Sequence, residues 1–75
     1  MSEENPKLLL VDDDEIFCQV LSKALHTREY SVDIAYNQND AIQIAQQQHP
    51  EFAIVDLRIG NDSGLNVIKS LVESE

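Results

Sequence analysis

Three aspartates stand where chemistry is possible. Asp12 and Asp13 close the apolar run Leu8-Leu9-Leu10-Val11, and Asp56 closes the similar run Phe52-Ala53-Ile54-Val55. Carboxylates drawn from distant points of a chain into one crevice repel each other, and the usual remedies are to protonate one or to bring in a cation. Oxygen donors alone suit a hard divalent ion. Magnesium is the natural choice, because it takes a few carboxylates, keeps several waters and bridges to phosphate oxygens. A carboxylate beside such an ion is a competent nucleophile for phosphoryl transfer, since the ion offsets charge on the moving oxygens.

The elements that must position these acids are set by the pattern around them. A short unbroken apolar run ended by acids reads as a strand buried on both faces, which predicts strands at Leu8–Val11 and Phe52–Val55. Ser31-Val32-Asp33-Ile34-Ala35 alternates and predicts a third strand, second in chain order, with a break at Tyr36-Asn37-Gln38-Asn39. Ile16, Phe17, Val20, Leu21, Ala24 and Leu25 recur at helical spacing after Asp13 and Asp14, acids suited to a helix N-terminus. Asp40 to Gln47 carries Ala41, Ile42, Ile44 and Ala45 on a second helical period, ended by His49-Pro50, where the residue before proline is pushed out of helical geometry. Gly60-Asn61-Asp62-Ser63-Gly64 reads as a loop, and Leu65, Ile68, Leu71 and Val72 as a third helix.

Strand and helix thus alternate three times from Lys7 onward, behind a polar tail at residues 1–6, which predicts an α/β fold with a parallel sheet. In doubly wound sheets ligands bind at the carboxyl ends of strands where the strand order reverses, and the flavodoxin-like winding sets the first and third strands side by side. An order of 2-1-3 would bring Asp12, Asp13 and Asp56 together.

Composition narrows the function classes. The 75 residues hold 14 acidic and 5 basic side chains for a formal charge of −9, so the nucleic-acid backbone would be repelled and direct contact with it is not expected. The single cysteine, Cys18, excludes an intramolecular disulfide or a zinc knuckle and suits a reducing cytoplasm. The N-terminus lacks the basic start and apolar run of a secretory signal. No apolar stretch approaches the roughly 20 residues of a membrane span. A soluble cytoplasmic protein is expected.

The motifs LLLVDDDE and FAIVDLRIGNDSGL, with Gly64 following Asp56 at a distance of eight, together resemble the receiver domain of bacterial two-component response regulators from Lys7 to about Val72. The resemblance implies that Asp56 accepts a phosphoryl group from a sensor histidine kinase. It implies Mg2+ as cofactor, with Asp13 a direct ligand, Asp12 an inner ligand or one step removed, Asp56 a further ligand and the backbone carbonyl of Arg58 another. Ile59-Gly60 replaces the Met-Pro common in the family. The Asp56-Leu57-Arg58 variant is similar to the redox-responsive regulators that join a receiver to a helix-turn-helix domain for transcriptional control. The family pattern continues for two more strand-helix units, with a Ser or Thr and a Lys that meet the phosphoryl group, so the chain is expected to be a truncated receiver domain spanning residues 1–75. A third strand left at an open edge would invite a homodimer, by edge pairing or by swapped elements.

Other readings compete. A solvated helix start explains residues 12–15 alone but leaves Asp56 unexplained. Asp12-Asp13-Asp14 resembles the nucleophile motif of haloacid-dehalogenase-type phosphatases, in which Asp12 would attack, but Ile16 stands where Thr or Val is usual. A receiver-like interaction module that no longer takes phosphate is a further alternative, and no enzyme activity beyond self-phosphorylation and dephosphorylation is expected. Cys18, Phe17 and Phe52 read as packing residues, Tyr30 and Tyr36 as half-buried, and His26 and His49 as silent helix-end residues.

Overall fold

The computed structural model describes residues 5–56, 58–59 and 62–73, with side-chain environments at 5–56 and 65–73. The elements are β1 (Lys7–Val11), α1 (Glu15–Thr27), β2 (Ser31–Ala35), α2 (Gln38–Gln48), β3 (Phe52–Val55), β4 (Arg58–Ile59), β5 (Asp62–Ser63) and α3 (Gly64–Glu73). A parallel sheet of order β2-β1-β3 forms the centre, as expected from the sequence. Leu9 of β1 lies opposite Asp33 on one side and Ala53 on the other. No helix among the described residues is long and apolar enough to cross a membrane.

Side chains alternate across a strand, so β1 sends its residues to two separate cores. Leu8 and Leu10 face α1 and pack with Cys18, Leu21, Leu25, Val32 and Ile34. Leu9 and Val11 face α2 and α3, where Ala35, Ala41 and Val67 are also buried. Each such leucine or valine contributes about 1.5–3 kcal/mol by leaving water. The continuous Leu8–Val11 run is thus what a central strand covered on both faces requires.

α1 buries a narrower stripe than its periodicity predicts. Ile16 and Val20 are exposed, Phe17 is 46% exposed, and the fully buried side chain is Cys18. Among the described residues one helix covers this face, and the stripe that meets the strands is Cys18, Leu21 and Leu25, which leaves its flanks in solvent. Phe52 also departs from the core expected of it: it is 51% exposed on β3, an edge strand of the described sheet. Tyr36 is exposed as well, whereas Tyr30 is half-buried and meets Phe52 edge to face at 5.9 Å.

Helix ends obey local chemistry. Asp14 caps α1 by accepting from the Phe17 N–H at 3.0 Å. α2 begins at Gln38, two residues before the predicted start, because Asn37 caps it: its side-chain Oδ1 accepts from the Asp40 N–H at 2.8 Å, and its side-chain Nδ2 donates to the Asp40 carboxylate at 3.1 Å. At the far end His49 takes a left-handed conformation, φ 50°, before Pro50. α1 ends with Glu29 also left-handed at φ 69°, while the Glu29 and Tyr30 N–H groups donate to His26 and Leu25, the pairing of a Schellman turn. Within the segment predicted as a loop, Asp62–Ser63 pairs antiparallel with Arg58–Ile59 and Gly64 already opens α3. Gly60 and Asn61 lie outside the described residues.

Candidate metal centre

The parallel ladders deliver the carboxylates. Val11 and Val55 are register partners, so the residues just after them, Asp12 and Asp56, leave the sheet side by side. Hydrogen bonds extend the register one step further: the Asp56 N–H donates to the Val11 carbonyl at 2.9 Å, and the Asp12 N–H donates to the Ala35 carbonyl at 3.1 Å. Asp12, Asp13 and Asp56 each then offer a carboxylate oxygen, and these oxygens lie within 4.8 Å of one another. Asp12 and Asp56 are partly buried and Asp13 is exposed. Convergence of the three acids thus matches the sequence reading. Arg58 lies two residues past Asp56 in β4.

Asp14 takes a different part from its neighbours. Its carboxylate is committed to the α1 cap and its N–H donates to Asp12 Oδ1 at 2.9 Å. The run of acids therefore divides between capping and the carboxylate group, a division that residue types alone do not make.

Three carboxylates grouped at the strand ends repel each other, and a cation among them would relieve that repulsion. The donor set fits a hard divalent cation. Magnesium–oxygen distances of about 2.1 Å place oxygens on one ion within roughly 4.2 Å of each other, close to the spacing of up to 4.8 Å observed.

One contact at this site escapes a reading of the sequence. Cys18, expected to serve packing, is fully buried, and its Sγ also donates to the Asp12 carbonyl at 3.4 Å. Burial raises its thiol above the ordinary range, and Asp12, Asp14 and Asp13 push in the same direction. Only the path of the chain between strand and helix reveals this contact.

A family model described as response regulator receiver domain matches residues 8–75. The acid tolerance regulatory protein ActR of Sinorhizobium medicae is 41% identical over 64 residues, which is 85% of this chain and 33% of the relative. The photosynthetic apparatus regulatory protein RegA of Cereibacter sphaeroides is 42% identical over 66 residues, 88% of this chain and 36% of the relative. The chain thus spans about a third of the length of these curated relatives. Among solved structures, a response regulator protein from Burkholderia pseudomallei, crystallised with a phosphorylated aspartic acid, calcium ion and citrate, superposes with a TM-score of 0.87 at 39% identity, over 92% of this chain and 41% of that one. Sheet order, acid placement and sequence similarity agree, and the chain belongs to the response regulator receiver domain family.

Proposed function

We propose that the chain receives a phosphoryl group on Asp56 from a phosphohistidine of a sensor histidine kinase. The observation that carries this reading is the placement of Asp56 at the carboxyl end of β3, its carboxylate grouped with those of Asp12 and Asp13. An Asp56 carboxylate oxygen attacks phosphorus, the phosphorus–nitrogen bond breaks, and its electron pair leaves with the imidazole. Asp12, Asp13, Asp56 and the Arg58 carbonyl would hold Mg2+, which when bound supplies positive charge against the phosphoryl oxygens. The β1 and β3 ladders hold Asp12 and Asp56 adjacent before any ligand arrives, and such preorganisation is the protein's main contribution to this chemistry. The Burkholderia relative, crystallised with a phosphorylated aspartic acid and a calcium ion, supports both parts of the reading. In the whole protein, phosphorylation would control transcription through an output domain. Regulators of transcription among the relatives support that, AlgB of Pseudomonas aeruginosa at 33% identity being one.

Beryllofluoride with magnesium tests the reading. A working receiver shows saturable shifts of the Asp56 amide resonance that require both reagents and vanish with a chelator. Engagement of Asp12 alone would instead favour the phosphatase reading, which leaves the grouping of Asp56 with Asp12 and Asp13 unexplained. No binding anywhere would leave a phosphate-independent interaction module.

A second reading has its own observation. Phe52 and Ile54 are 51% and 40% exposed along the edge strand β3, an arrangement that favours self-association through that edge. Light scattering over a range of concentrations decides it, and a monomer throughout removes the homodimer.

A further inference from the structure

Cys18 is the buried residue of α1 and packs against Leu8 and Leu10. A free thiol behaves as a small hydrophobe, so packing explains its burial. Packing does not explain where the sulfur points. Sγ reaches back across the β1–α1 turn to the Asp12 carbonyl, six residues earlier in the chain. Asp12 is thereby held at three atoms: its N–H donates to Ala35, its Oδ1 accepts from the Asp14 N–H, and its carbonyl accepts from the thiol. Asp14 is in turn tied to α1, its carboxylate accepting from the Phe17 N–H and its carbonyl from the Cys18 N–H at 3.0 Å. Cys18 therefore grips both sides of the turn, Asp14 through its backbone and Asp12 through its side chain. Asp13, exposed, lies between these two anchored residues.

We propose that Cys18 is a positioning residue for the metal centre: its thiol hydrogen bond to the Asp12 carbonyl fixes the β1–α1 turn so that Asp12 and Asp13 face Asp56. This rests on the proposal that the three carboxylates hold a divalent ion. A part-buried carbonyl that loses its donor weakens whatever geometry depended on it, by a factor of roughly two to five for one weak thiol hydrogen bond.

Two variants separate donor from filler. Cys18→Val keeps an apolar side chain of similar size and removes the donor, and Cys18→Ser restores a donor. Amide hydrogen exchange at Asp14 without metal, and magnesium titration followed at the Asp56 amide, are the readouts. Cys18→Val is expected to speed Asp14 exchange and weaken magnesium binding, each by roughly two- to fivefold, while melting as one cooperative unit. Cys18→Ser is expected to recover most of both. Unchanged Asp14 exchange in Cys18→Val overturns the inference, as does equal loss in both variants, which would make packing the cause. If exchange responds as expected but the wild-type chain binds no magnesium, the turn-holding role stands and the metal reading alone falls.

Discussion

β1 and β3 are written in nearly the same words and live in opposite surroundings. Each is a run of four apolar residues closed by aspartate, Leu8–Val11 before Asp12 and Phe52–Val55 before Asp56. β1 has a partner on both sides and helices over both faces, and its last four residues are buried. β3 pairs only with β1 among the described strands, and Phe52, Ala53 and Ile54 are exposed. An apolar run specifies a strand that prefers burial, but the amount of burial is decided by how many neighbours the sheet supplies. The two strands also differ in the path the chain takes beyond their acids. After β1 it enters a capped helix within four residues, and after β3 it enters the short antiparallel pair β4 and β5.

The sharpest way to divide the pair is at their terminal acids. Asp56→Asn is expected to abolish phosphoryl uptake from a small-molecule donor, whereas Asp12→Asn should leave the acceptor in place and weaken magnesium binding by about tenfold or more. Labelling of the acceptor with acetyl phosphate, with magnesium titrated in parallel, checks both. Equal loss of uptake with unchanged magnesium affinity in the two variants would break the distinction. Next in size is the contrast in core value. Leu9→Ala should cost about 2–5 kcal/mol in urea unfolding, against less than about 1.5 kcal/mol for Ile54→Ala, because a side chain already half in solvent leaves little cavity. Comparable costs would mean that β3 is covered in solution. Asp14→Ala should then cost about 1 kcal/mol by removing the α1 cap, with a drop in helical circular dichroism on melting as the readout. An effect of similar size to the cap belongs to Phe52→Leu, which keeps an apolar edge but removes the ring contact with Tyr30, worth about 0.5–1.5 kcal/mol.

The sheet and its acids are legible in the sequence because two signals coincide. Apolar runs mark the strands, their terminal aspartates mark the site, and alternation with helices leads to a parallel sheet, while the order 2-1-3 comes from the flavodoxin-like winding. The features hidden from the sequence depend on tertiary neighbours. Periodicity puts Phe17 and Val20 on the buried face of α1, but the face that meets β1 is centred on Cys18, a few positions around the helix. The start of α2 is displaced because Asn37, a chain-breaking residue by composition, uses its side chain as the helix cap. Pairing of Arg58–Ile59 with Asp62–Ser63 is masked by glycine-rich composition, which reads as loop whether or not two residues pair across it. The thiol contact to Asp12 needs the fold itself, because nothing in the residue types links positions 12 and 18.

The Tyr30–Phe52 ring pair spans the central strand at the end of the sheet away from the carboxylates, joining the start of β3 to the turn that leads into β2. The sequence contains no tryptophan and only two tyrosines, and Tyr36 is exposed while Tyr30 is half-buried against that ring. Tyrosine emission therefore carries a built-in gauge of whether the outer strand is docked. Release of β3 would register optically some distance from the acidic site, and ligand binding at one end of the sheet can be followed separately from fraying at the other.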